Sequence, residues 1–352
     1  MSGSRNDSID IARGLGIILV VFGHTKGLPD ELHRLVYSFH MPAFFVLSGY
    51  LFNSDKASRN ALSYLTEKFR RLIVPAWFIG ATCGLLFLLK LVAHKITALA
   101  FIHLLFGTFV GFPRADGNFL TTPLWFLFCL FCVEAIATGI VCKIRGRSSA
   151  IAMCIIGVTA IGFSTRLRFI PFDMHVALGA LLYFGLGTAI RHSTGWTFEA
   201  LATSSLSRFA IVGTIVLGWF ACAHFMREPI SMSDNFFGSY PFSIAQNVVT
   251  SFLGTLAFFL LATSLPRSDL LRWLGTHTVP ILGFNYVVSA AVVHLLDHIN
   301  ANLWWLSFVL QAVLLATLAW LLDRTGIIGD IANGRLASRR PVAAAPSRHR
   351  PT

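Results

Sequence analysis

Charge is scarce in this chain. Only 12% of its 352 residues are Asp, Glu, Lys or Arg, about half the share of a soluble domain. A water-exposed globular surface is hard to build from that, which excludes a cytosolic enzyme, a nucleic-acid binder and a secreted disulfide scaffold. Acidic residues are especially few, 16 against 28 Lys and Arg. The resulting excess of positive charge lies in short patches between apolar runs, as a bilayer requires and nucleic acid does not. Cysteine is sparse too. All six (Cys83, Cys129, Cys132, Cys142, Cys154 and Cys222) sit in apolar stretches, and Cys129 and Cys132 have no second ligand pair, so no metal is expected. No dinucleotide fingerprint, Walker loop or nucleophile elbow occurs. No inverted repeat is visible, which weakens a transporter reading.

Hydrophobic residues are plentiful, at 55% with a mean hydropathy of +0.69. The chain therefore reads as an all-α polytopic integral membrane protein. A span needs about 20 largely apolar residues, and ten stretches qualify: 11–24, 35–52, 73–92, 124–142, 150–163, 174–190, 209–225, 248–265, 279–296 and 303–322. The first and fifth are short and should extend into polar neighbours. A glycine-interrupted stretch, 98–112, reads as an interfacial or re-entrant helix. With ten spans, 20 of the 28 Lys and Arg fall on the side of the termini and eight on the other, so both termini are expected in the cytoplasm. No cleavable signal peptide is evident. Residues 1–330 form one transmembrane domain in this reading, and 331–352 a basic, disordered cytoplasmic tail.

Ionisable groups inside spans are expensive, which makes each a functional suspect. Arg13 and His24 are eleven residues apart on the first span, about three helical turns and roughly 16 Å of rise. They share a face, with the guanidinium near the cytoplasmic mouth and the imidazole deep in the protein. A guanidinium grips phosphate, and an imidazole can take a proton from a hydroxyl. The plainer alternative is a snorkelling arginine and an interfacial histidine. His40, on a span running the other way, should lie near the depth of His24. Pro42 should bend that helix. Arg70 and Arg71 precede the third span and can gather phosphates with Arg13, or simply anchor topology. Glu134 must pair, protonate or face a cavity. Asn285 and Tyr286 can bond within the bundle or line a cavity. The pair His294 and His298 suits interfacial solvation better than metal. Segment 227–241 mixes aromatic and polar groups suited to receive a sugar.

These residues carry a resemblance. The stretches Ile9-Asp10-Ile-Ala-Arg13-Gly-Leu-Gly-Ile with His24, Phe39-His40-Met-Pro42-Ala-Phe-Phe-Val-Leu-Ser48-Gly49-Tyr, Lys68-Phe-Arg70-Arg71-Leu-Ile-Val-Pro75 and Pro123-Leu-Trp125 resemble the membrane acyltransferase 3 family. The likeness is nearest to its branch of fucose 4-O-acetylase-like and exopolysaccharide O-acetyltransferases. It is sharpest over the first 130 residues. Leu274-Gly275-x-His277 also matches, although a serine commonly stands in place of His277 or Thr278. The resemblance implies about ten spans in a bacterial inner membrane. It also implies transfer of an acetyl group from cytoplasmic acetyl-CoA, as cosubstrate, to a hydroxyl of a surface or exported polysaccharide or its lipid-linked precursor. His24 would then be catalytic with His40 beside it, and Arg13, Arg70 and Arg71 would bind the donor. Expected partners are the lipid bilayer, acyl-CoA, the carbohydrate acceptor, and polysaccharide-assembly proteins or a second copy of the chain; nucleic acid is not expected. A carrier or flippase for a lipid-linked sugar is the alternative.

Overall fold

The computed structural model describes residues 7–193, 206–298 and 303–336, and the named elements among them are all helices. Ten helices follow the apolar runs in order: α1 (Asp7–Gly23), α3 (His40–Leu51), α5 (Ala61–Val92), α7 (Trp125–Lys143), α8 (Arg147–Gly162), α9 (Met174–His192), α10 (Leu206–His224), α11 (Pro241–Ser264), α13 (Thr278–His298) and α14 (Trp304–Asp323). Five short helices lie between or after them: α2 (Asp30–Tyr37), α4 (Ser54–Arg59), α6 (Ala98–Val110), α12 (Asp269–Thr276) and α15 (Ile327–Ala332). Six of the ten are long and apolar enough to cross a bilayer by themselves. Of the remaining four, α1, α3 and α8 are shorter, and the protein is an all-α polytopic membrane protein of about ten spans. Large apolar side chains such as Leu85, Leu89, Leu217 and Val313 stay exposed on the outside of the bundle, where lipid rather than water meets them.

Lipid supplies little hydrophobic force between helices, so close backbone approach has to hold the bundle. Two crossings show this. Where α1 meets α12, a Cβ at Gly14 would lie 2.0 Å from the Leu271 carbonyl oxygen, and one at Gly275 would lie 1.9 Å from that of Asp10. Where α3 meets α9, a Cβ at Gly49 would lie 1.9 Å from the Phe184 oxygen, and one at Gly187 1.9 Å from that of Val46. Neither crossing has room for any other residue. α1 and α8 extend into flanking polar residues, as their short apolar runs require.

Two local details differ from the expectation drawn from the sequence. The stretch 35–52 is not one bent helix. It breaks at Phe39 (φ −142°, ψ −21°), and Pro42 falls in the first turn of α3. There its missing N–H has no intrahelical partner to lose, so it bends nothing. The 98–112 stretch forms α6, which folds back along α5: Gly80 abuts Thr108, and the Trp77 indole donates to the Phe109 carbonyl at 3.0 Å. From there segment 111–124 leads directly into α7.

Of the stretch 331–352, residues 331–336 are described and packed. α15 rests on α5 and α14, Ala332 is buried, and Gly334 touches the Arg71 backbone. Residues 337–352 lie outside the described residues.

Candidate functional site

Two cavities approach each other in the bundle. The first, of about 350 Å³, is basic: Arg13 from α1, Arg71 from α5 and Arg335 beyond α15 line it. Ile17, Phe44, Phe126 and Leu130 give it an apolar lining, and Ser48, Thr276 and Thr278 line it too. The second, of about 320 Å³, holds His24, His40, Tyr37, Tyr286 and Trp125 under a cover from segments 113–115 and 231–234. Met41 lines both cavities. Along α7 the wall changes owner in one step, Trp125 facing the second cavity and Phe126 the first.

The face shared by Arg13 and His24 is therefore divided between the two spaces. His24 follows directly on the last turn of α1, and its Nδ1 lies 2.9 Å from the Val20 carbonyl. His40 repeats the device, with Nδ1 at 2.8 Å from the Val36 carbonyl. A carbonyl oxygen only accepts, so in each ring Nδ1 carries the hydrogen and donates it. In the neutral ring, Nε2 then keeps its lone pair. The Tyr37 hydroxyl donates toward His24 Nε2 at 3.4 Å. The Tyr37 ring also stacks on His33 at 3.9 Å between centroids and meets His40 edge-on at 4.9 Å. Tyr286 closes the other flank of His24, ring to ring at 5.5 Å. His40 is 2% exposed, whereas His24 is partly open, so His24 is the more accessible of the two imidazoles.

The cover of the imidazole cavity is held by polar contacts. Arg114 and Asp234 pair across it at 3.6 Å. The Asn118 amide ties down the first segment through the Phe112 and Arg114 carbonyls, at 2.9 and 2.7 Å. The second segment is pinned by Glu228, whose carboxylate accepts from the Ser239 backbone N–H and the Ser243 hydroxyl, both at 2.7 Å. Those donors, the backbone N–H first, hold the Glu228 carboxyl below its ordinary range.

Of the expected donor-binding arginines, Arg13 and Arg71 come together on one wall. Arg70 is exposed and lines neither cavity. Lys68 turns inward to pair with Glu134, which also accepts from the Tyr64 hydroxyl at 2.6 Å. Glu134 is thus paired within the bundle. Asn285 bonds to Gln311 within the bundle, and Tyr286 lines the cavity. Among the described residues no group of three or more His, Cys, Asp or Glu could hold a metal. His294 and His298 contact each other, and Asp297 lies 4.0 Å from Lys26.

Sequence reasoning missed Met41, Arg114 and Arg335. The first lies beside a named histidine, the second in a loop, and the third in the stretch read as tail. Tyr37 was within reach, because it stands three residues before His40.

A family model described as an acyltransferase domain (Acyl_transf_3) matches residues 6–324. The chain is also similar to Nodulation protein NolL of Sinorhizobium fredii (strain NBRC 101917 / NGR234), 28% identical over 160 residues. That match covers 40% of this chain and 43% of the relative, so well under half of each is aligned. No solved structure matches.

Proposed function

The chain belongs to the membrane acyltransferase family whose model spans residues 6–324, and from that premise we propose that it is a carbohydrate O-acetyltransferase of the bacterial inner membrane. The donor is acetyl-CoA entering from the cytoplasm, and the acceptor is a hydroxyl of an exported or surface polysaccharide or its lipid-linked precursor. One observation carries this reading: a cavity lined by arginines and a cavity lined by imidazoles meet at a single flexible side chain, Met41.

The chemistry follows from the walls. Arg13 and Arg71 are charge-assisted donors suited to the phosphates of a nucleotide. The apolar lining of that cavity suits the pantetheine arm, which would carry the thioester toward Met41. In the second cavity, aromatic faces and mixed donors and acceptors suit a sugar ring. His24 Nε2 takes the proton of the attacking hydroxyl while its oxygen bonds to the thioester carbonyl carbon. The tetrahedral oxyanion is met by hydroxyl donors, for which Tyr37 and Tyr286 line the same cavity. Collapse breaks the carbon–sulfur bond, and the imidazolium returns its proton to the departing thiolate. The products are an O-acetyl ester and free CoA, with no net proton change at His24. His40, whose Nε2 accepts in the tautomer set by Val36, suits orientation of a second acceptor hydroxyl.

The test is transfer of labelled acetyl from acetyl-CoA to cell-envelope glycan, in membranes holding the wild-type chain or His24→Ala at matched levels. Glycan label that depends on His24 supports the reading. Equal labelling in both would move the base elsewhere. Purified protein that binds no acetyl-CoA would end the proposal.

A further inference from the structure

The family match ends at residue 324, yet the chain beyond it returns to the basic cavity. Gly326, at φ +63°, turns the chain out of α14 into α15. Three contacts fix that segment. A Cβ at Gly329 would lie 2.2 Å from the Leu322 carbonyl oxygen, the Ala332 side chain is fully buried, and a Cβ at Gly334 would lie 2.4 Å from the carbonyl oxygen of Arg71. Gly334 also has φ +66°, so at this position both space and backbone conformation call for glycine. The segment is thus seated on the backbone of an arginine that lines the basic cavity, and it brings Asn333, Gly334 and Arg335 to the same wall.

Arg335 is oriented there by several acceptors. It pairs with Asp323 at the end of α14, lies 3.1 Å from His277 Nε2 and reaches the Thr276 carbonyl at 3.4 Å. His277 Nε2 also lies 3.2 Å from Asp323 Oδ1, so the three side chains form one cluster. The other ring nitrogen, Nδ1, donates to the Trp273 carbonyl at 2.7 Å, and the ring stacks on Trp273. One guanidinium therefore ties the end of α14 to the α12–α13 junction, whose residues Gly275, Thr276 and Thr278 also line the cavity.

We propose that residues 325–336 form part of the donor site and that Arg335 is a third arginine, with Arg13 and Arg71, contacting the phosphates of the acyl donor. The inference rests on the reading of the basic cavity as the donor site. Three arginines line this cavity, each with a carboxylate beside it (Asp10, Glu67 and Asp323); three exceed what a thioester or an acyl chain requires and match a polyanion such as the nucleotide end of CoA. Anchoring by Asp323, His277 and Thr276 orders the side chain before a ligand arrives and so lowers the entropic cost of using it.

The experiment compares wild type, Arg335→Gln and Arg335→Lys, purified in bilayer discs, for binding of CoA and for transfer from acetyl-CoA and from S-acetylpantetheine, which has no nucleotide. The expected result for Arg335→Gln is a rise in the Kd for CoA and the KM for acetyl-CoA of about tenfold. Its kcat should stay within about twofold, and its KM for S-acetylpantetheine should be unchanged. Arg335→Lys should fall between it and wild type, and it reads the same contact should the Gln variant fail to accumulate. Unchanged CoA affinity in both variants would overturn the inference while leaving the donor site intact. An equal loss with S-acetylpantetheine would overturn the phosphate contact and leave a structural strap. A wild-type protein that binds no CoA would overturn the donor-site reading itself.

Discussion

The Tyr37 hydroxyl lies 3.4 Å from His24 Nε2, and Val20 holds the opposite ring nitrogen of that histidine. This relationship joins two elements, the end of α1 and the end of α2, and it orients the one nitrogen able to take a proton. A long hydrogen bond of this kind is weak in the resting protein. It is also readily exchanged for a bond to an incoming hydroxyl.

His24→Ala should therefore lower acetyl transfer by about 10²- to 10⁴-fold, the usual worth of a general base. Tyr37→Phe keeps the ring stacked on His33 and loses only the hydroxyl. It should lower kcat by roughly 3- to 30-fold with little change in donor KM, since one hydrogen bond is at stake. A Tyr37→Phe protein whose donor KM rises while kcat holds would contradict the assignment. Steady-state kinetics on matched protein decides between these outcomes.

Met41 is the side chain common to both cavities. Its unbranched thioether can swing aside at low cost, as passage of a thioester requires. Met41→Trp should block transfer while CoA binding stays within about threefold of wild type, because the arginine wall is untouched. Met41→Ala should raise acetyl-CoA hydrolysis in the absence of acceptor, by admitting water to the thioester. Isothermal titration and thiol-release assays measure the two effects. Transfer at wild-type rate by Met41→Trp would place the route elsewhere.

Arg70 and Arg71 are neighbours in sequence, but only Arg71 lines the basic cavity, and Glu67 holds it at 2.8 Å. Arg71→Ala should raise the KM for acetyl-CoA by about tenfold, the scale of one lost charge-assisted bond. Arg70→Ala should leave it within about twofold. Matching effects for the two variants would show that overall positive charge, rather than this wall, gathers the donor.

The Lys68–Glu134 pair stands apart from both cavities. Glu134 is almost fully buried, with Tyr64 as its second partner. Removing one member leaves the other charge uncompensated, so Glu134→Leu should cost about 3–5 kcal/mol. The double variant Lys68→Met with Glu134→Leu should recover most of that loss, because the isolated charge is gone. Thermal unfolding in detergent reads both. If the double variant is no more stable than the single one, the pair is not what couples α5 to α7.

Particular residues mark how far the sequence could be read. The spans were legible because a backbone in lipid must satisfy its own hydrogen bonds, which forces long apolar runs such as those of α7 and α14. Arg13 and His24 could be put on one face because a single helix carries both, and the helical period alone relates them. Pro42 misled because a proline acts by its place in a helix, and where α3 begins is set at Phe39 by the turn out of α2.

The sequence by itself determined the class of protein, the number of spans and the residue types available for acyl transfer, since each follows from local composition and period. Tertiary structure decided which of them share a space. Arg70 and Arg71 differ by about 100° around one helix, and only the packing of α5 against the Gly334 backbone says which one lines the cavity. Arg335 joins the same wall from 264 positions further along the chain. Met41 separates two cavities only because α1, α3, α7 and α13 converge around it. Such convergence is a property of contacts distant in sequence, to which no local pattern is sensitive.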